Sequence, residues 1–414
     1  MITQKITNKQ FWITLCLFNL SIVALLGLGL RSKILFTIPF IDYRSLLSAH
    51  SHFAFAGWAG LSLITLLIHE LLPQELSQKK IYAWILVAIQ VSSLGMAVTF
   101  PFYGYNAISM FFSTMYIVVT LIFAFIYTKD YLKVPGPDHI KLLALGAIAC
   151  LIISYLGTFG LVYILSAKSG NAILYRDSIY TFLHFQYNGF FTLGLFALYY
   201  HHRFRKGLVV SIADRRFIRI LCASIAPSLF LALLWHNSVL FYALAAIGCI
   251  LIIVSIVCFL KSIRQVARKN LFTLKLANTL ALFAGLSFIM KMLLNAGTII
   301  PALSDAVYGD RPVIIGFLHL VFLGMLTFYL LAIFFDQGIF SKRKSSYKFP
   351  ILVFSVGIFL NEIFLFVQGL IILFSVNSHI FKWLLWCAAI VLFAGSFMMF
   401  ISRLNVRAQK KDTI

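Results

Sequence analysis

LLSAHSHFAFAGWAGLSLITLLIHEL, residues 46–71, carries no Asp, Glu, Lys or Arg until Glu70. A helix needs roughly 20 consecutive apolar residues to cross a bilayer, because its backbone polar groups must all be satisfied within the segment. This stretch is long enough, and its two histidines stand near one end. The pattern predicts a membrane-spanning helix that brings ligating side chains to shallow depth.

Eleven further stretches read the same way: Trp12–Leu30, Ile81–Phe100, Ile108–Tyr127, Leu142–Leu165, Ser178–Tyr200, Phe217–Trp235, Leu240–Leu260, Leu271–Leu294, Val313–Phe335, Phe349–Phe374 and Phe381–Ile401. Across the 414 residues, 62% are hydrophobic and 11% are charged. A soluble chain carries about 25% charge. The expectation is an all-α polytopic membrane bundle of twelve spans, residues 1–414 forming a single integral domain, with no linker and no convincing sequence repeat. The outer connection 295–312 reads as a cap over the outer face, and 405–414 as a frayed tail.

A net charge of +22 would suit nucleic acid, but its distribution argues otherwise. With the N-terminus inside, 26 of the 34 Lys and Arg residues fall in the inner segments and 8 in the outer ones. Such asymmetry is the positive-inside rule. It predicts cytoplasmic termini and lipid as the surrounding partner, excludes a nucleic-acid footprint, and places the chain in a bacterial inner membrane. No Cys-x-x-Cys-His occurs, which excludes covalently attached haem.

Ten histidines are present. His69, His139, His201, His202 and His379 lie in loops or at inner ends, and read as surface groups. His50 and His52 follow the outer start of span two, His184 that of span six and His319 that of span ten, while His236 closes span seven. By helix rise, the first four lie about 6–9 Å inside their spans. Imidazole is the usual protein ligand of haem iron and copper. Residues i and i+2 of a helix point about 200° apart, so His50 and His52 serve different neighbours. Gly57, Gly60 and Gly324 follow the candidate ligands and leave clearance for a flat macrocycle; close helix packing is the alternative reading. Arg44, Arg176 and Arg311 precede the histidines and offer guanidinium groups to haem propionates, or anchor the spans. Glu362, with Asn361 and Gln368, forms a mid-span polar group suited to a proton path or a structural knot.

Twelve spans with histidines on the second, sixth, seventh and tenth resemble subunit I of the haem–copper oxidase and nitric-oxide reductase superfamily. The motifs are LLSAHSHFAF (46–55), FLHFQYNGFF (182–191) and IGFLHLVFLGMLTF (315–328). The resemblance implies a low-spin haem on His50 and His319. It implies a copper ligand at His184. Phe317 stands where the proximal ligand of the high-spin haem would be, span seven lacks its paired histidine, and no His-Pro-Glu-x-x-Tyr is present. The chain also resembles the NnrS-type haem- and copper-containing membrane proteins, which implies a role in nitric-oxide tolerance.

The expectation is therefore a b-type haem protein with His50 and His319 as iron ligands and Arg44 and Arg311 at the propionates. His52, His184 and His236 form a candidate second metal site for copper or a second haem. The function expected is electron transfer, or oxidoreductase chemistry on NO or O2, fed by a quinol or cytochrome donor; partner subunits are left open. A secondary transporter without haem is the rival reading, but its substrate site would lie near the midplane, where this sequence is almost uncharged.

Overall fold

The computed structural model describes residues 6–266, 271–304, 310–340, 348–373 and 379–411. Among these residues there are helices and turns but no strand. The principal helices are α1 (Lys9–Leu35), α2 (Tyr43–Leu71), α3 (Lys80–Tyr103), α4 (Ala107–Tyr131), α5 (Asp138–Ser166), α6 (172–205), α7 (Ile212–Ser228), α8 (Val239–Val266), α9 (Lys275–Gly297), α10 (Arg311–Asp336), α11 (Lys348–Leu373) and α12 (Ile380–Lys411). Ten of them are long and apolar enough to cross a membrane. The protein is thus a multi-pass, all-helical membrane protein. Its exposed faces agree: Leu25, Phe125 and Leu156 stand at 50%, 71% and 64% exposure, a cost in water that hydrocarbon removes.

The two helices short of the expected twelve are α6 and α7. In α6 the helix is continuous, but His184, Gln186 and Asn188 break its apolar run. Helix α7 begins among Arg215, Arg216 and Arg219. Near its end stands Pro227, whose nitrogen cannot donate to the helical ladder, and beyond Ser228 the chain continues as two short 3-10 turns, Leu229–Ala232 and Leu234–His236. The expected span Phe217–Trp235 is therefore a shorter helix with an irregular C-terminal end. Likewise most of the expected frayed tail continues α12 to Lys411, while 412–414, and 305–309 of the expected outer cap, lie outside the described residues.

The chain divides into two compact units. The first comprises Met1–His69, Gln74–Phe123 and Leu330–Ile414; the second, Glu70–Pro73 and Ala124–Tyr329. In the first unit α12 packs along both α1 and α11. Gly395 makes the α11 contact close, since a Cβ there would lie 2.6 Å from Phe354 Cα; small residues at helix crossings do this in membranes. The buried Arg403 of α12 donates to Thr14 Oγ1 (3.1 Å), to Gln10 Oε1 (3.1 Å) and to the Ile339 carbonyl. At the other end Trp386 Nε1 donates to Ser32 Oγ at 3.0 Å. The centre of the unit is tied by Asn19 of α1, fully buried, whose amide donates to the Gly57 carbonyl (2.6 Å) and to Gln90 Oε1 (2.7 Å).

In the second unit α5 pairs with α6 and α7 with α8. An ion pair ties α6 to α7. Asp214, wholly buried, accepts from Arg203 (2.6 Å), from Tyr200 (3.0 Å) and from Ser262, and forms a capping box with Ser211. Burial alone would raise the Asp214 pKa, but the bonds from Arg203, Ser262 and Ser211 outweigh it and hold the carboxyl down at about 2.

Candidate functional site

Each of α2, α6 and α10 changes from α to π geometry directly after a histidine-bearing segment. In α2 the π segment is Ala54–Gly60, two residues past His52. In α6 it is Phe185–Phe191, directly after His184, and in α10 it is Leu320–Thr327, directly after His319. A π turn holds an extra residue and closes its hydrogen bonds at i→i+5, so it is rare and concentrates at functional sites. It also leaves a carbonyl poorly served by the ladder. Thr192 Oγ1 donates to the Tyr187 carbonyl at 2.5 Å and Thr327 Oγ1 to the Phe322 carbonyl at 2.7 Å, both five residues back.

The histidines differ in how their rings are held. A carbonyl oxygen only accepts, so a ring nitrogen facing one carries the proton. His52 Nδ1 donates to the Ser48 carbonyl at 2.8 Å, and His319 Nδ1 donates to the Ile315 carbonyl at 2.7 Å, each one turn earlier on its own helix. His50 Nδ1 instead donates across to the Val23 carbonyl of α1 at 3.1 Å. Its ring lies against Gly27, where a Cβ would come within 3.1 Å of His50 Cε1. In all three the Nδ1 proton is fixed, which makes Nε2 the lone-pair nitrogen. That tautomer, held by a carbonyl, is the usual state of a metal-ligating imidazole.

His184 is held otherwise. Its Nε2 donates to the Ile225 carbonyl (2.8 Å), and its Nδ1 accepts from Asn188 Nδ2 (3.1 Å), in a fully buried position. Both nitrogens are engaged, so metal ligation would break one of these bonds. His236 Nε2 meets the two Asp177 oxygens at 2.9 and 3.0 Å, while Trp235 Nε1 donates to Asp177 Oδ1 at 3.0 Å. Arg176, expected at a propionate, lies 5.5 Å from the Trp235 ring in a cation–π contact. Among the described residues no group of three or more His, Cys, Asp or Glu side chains is placed to hold a metal ion. Within the second unit His184 and His236 have separate partners, and His52 belongs to the first unit.

Arg44 and Arg311 stand exposed in the first turns of α2 and α10. Glu362 accepts from its neighbour Asn361 Nδ2 at 3.1 Å and is half-buried in α11. Phe317 of α10 packs edge-on against Tyr187, with ring centres 5.3 Å apart.

One buried ion escaped the sequence reading. Lys291 counts among the outer basic residues, yet it lies inside α9 with no exposed surface. Its ammonium donates to Thr192 Oγ1 at 3.0 Å and to the Tyr187 carbonyl at 3.4 Å, and lies 5.9 Å from the Tyr187 ring centre. It therefore helps to serve the π-segment carbonyl of α6. The signal was available: Lys291 is the single charged residue between 276 and 304. No protein-family model matches the chain, and no curated protein matches it.

Proposed function

We propose that the chain is a b-type haem-binding membrane protein that transfers electrons or carries out redox chemistry on a small gas, NO or O2. The observation that carries this reading is the tethering of His52 and His319 described above, each imidazole fixed by its Nδ1 proton with Nε2 as the lone-pair nitrogen. Nothing about an ordinary interfacial histidine requires the same tether in two helices, each beside a π segment.

The donor set suits haem better than a three-histidine copper site. His319 on α10 and a histidine of α2 are the iron ligands in this reading. Arg44 and Arg311, at the same helix ends, are the cations for the propionates. Bound haem would supply reversible one-electron chemistry, and its iron would be held by these two imidazoles. The chain's own part is to fix the tautomer and orientation of each imidazole. Electron transfer is therefore the first expectation, with gas chemistry requiring a further site. The excess of Lys and Arg on one set of loops supports insertion in a bacterial cytoplasmic membrane with both termini inside; the electron donor in this reading is a quinol or cytochrome.

A reduced-minus-oxidised absorption spectrum and metal analysis of protein purified from haem-replete cells test the proposal. The expected result is haem in proportion to protein, lost in His319→Ala and kept in His379→Ala. A colourless wild-type protein would sink the reading and leave transport as the function to test.

A further inference from the structure

The three histidine-bearing helices share a register that neither composition nor hydropathy displays. Counting from His184, a glycine follows at +5 (Gly189) and a threonine at +8 (Thr192). From His319 the same steps reach Gly324 and Thr327. In α2 those steps lead from His52, not His50, to Gly57 and Gly60. In α6 and α10 the carbonyl at +3 is the one capped. Tyr187 and Phe322 take the hydroxyls of Thr192 and Thr327. In α2 the residue at +3 is Phe55, and glycine replaces the threonine. A Cβ at Gly60 would lie 2.8 Å from the Phe55 carbonyl oxygen and 2.6 Å from Tyr116 Oη. A tyrosine of α4 therefore brings its hydroxyl to the place that threonine serves elsewhere.

The preceding helix repeats the register as well. Asn19 of α1 reaches the Gly57 carbonyl. Cys150 of α5 abuts Gly189, and Ser287 of α9 abuts Gly324, where a Cβ would come within 2.7 Å of the serine Oγ. In chain order these residues stand 33, 34 and 32 positions before His52, His184 and His319. Three local constructions thus share one plan, a histidine, a π segment and a glycine met by the preceding helix, and in α6 and α10 the carbonyl at +3 is served by a hydroxyl. His50 has no counterpart in this plan. The residues two before His184 and His319 are Phe182 and Phe317.

We infer that His52, rather than His50, is the α2 ligand to iron, an inference that rests on the haem reading above. His52 and His319 occupy the same register and share the same tether to the carbonyl four residues back. His50 spends its Nδ1 proton on α1, where Gly27 makes room for its ring; its role is to pack α2 against α1. His184 holds the third equivalent position, but Asn188 and Ile225 bind both of its nitrogens. The π segment is common to all three, whereas an imidazole tethered through Nδ1 to the carbonyl four residues back stands at this register in α2 and α10 and not in α6.

The test compares His52→Gly and His50→Gly in the full-length protein by absorption and electron paramagnetic resonance spectra. The expected outcome is loss of the wild-type low-spin haem signal in His52→Gly, its return on addition of free imidazole, and a wild-type signal in His50→Gly. Rescue by imidazole separates a missing ligand from a misfolded chain. His52→Met gives a second readout if His52→Gly does not purify, since a thioether ligand alters the spectrum only if residue 52 is axial. A wild-type spectrum in the His52 variants, or imidazole-rescued loss in His50→Gly, overturns the assignment. Absence of haem from the wild type overturns the haem reading itself, and this assignment with it.

Discussion

At the scale of single residues, burial decides what each ionisable group can do. Asp214 and Lys291 are both wholly buried, but among the described residues Asp214 has Arg203 for a partner while Lys291 meets neutral oxygens and a ring. Removing one partner of a buried pair leaves the other charge without compensation, at about 3–5 kcal/mol. Asp214→Asn should therefore lower the thermal midpoint in detergent sharply, and Asp214→Asn with Arg203→Met should recover part of it. The sign of the pH effect follows from the depressed carboxyl. Its folded pKa of about 2 lies below the unfolded value near 4, so its contribution is complete above pH 4 and fades towards pH 2. Melting curves across that window should fall faster for the wild type than for Asp214→Asn; parallel curves would refute the linkage. Much of this was hidden in the sequence. Asp214 reads there as one more charge of an inner loop, and Lys291 as an outer anchor close to the end of its span. What sets them apart is contact with residues 11 to 104 positions away on other helices, which local pattern does not encode.

Among the elements, the π segments carry the most information and gave the least warning. Apolar runs of 20 residues announce helices plainly, and ten of the twelve expected spans are helices fit to cross a bilayer. Nothing in residues 320–327, LVFLGMLT, distinguishes a π turn from an α turn, because both keep the same apolar face and neither costs a side chain its rotamer. The three histidines of the shared register were legible individually, but the register itself rests on two residue types in eight, too few to stand out as a repeat. A π segment holds one residue more than the α turn it replaces, so shortening it is a direct test. Deleting Leu323 should return α10 to α geometry and remove the wide turn that follows His319. The expected outcome is a helical circular dichroism spectrum close to wild type together with loss of the haem signal. Haem content that survives the deletion would show that the wide turn has no part in aiming the ligand.

For the molecule as a whole, hydropathy made the membrane architecture legible, while the division into two compact units was not, because no Gly-, Ser- or Pro-rich linker marks it. The chain passes from the first unit to the second and back, so the boundary is set by packing between distant helices. One consequence of the first unit's construction concerns the polypeptide as a closed path. Helix α12 lies along α1, Trp386 holds Ser32, and Arg403 grips Gln10 and Thr14, so the last helix is fastened to the first. A short flexible linker should join the ends, and the loop 132–137 between α4 and α5, placed on the inner side by the proposed orientation, should tolerate new termini. Such a circular permutant should extract as a monodisperse species melting within a few degrees of wild type, whereas aggregation would show that insertion must begin at α1. If it folds, the grip of α12 on α1 forms whichever of the two helices is made first.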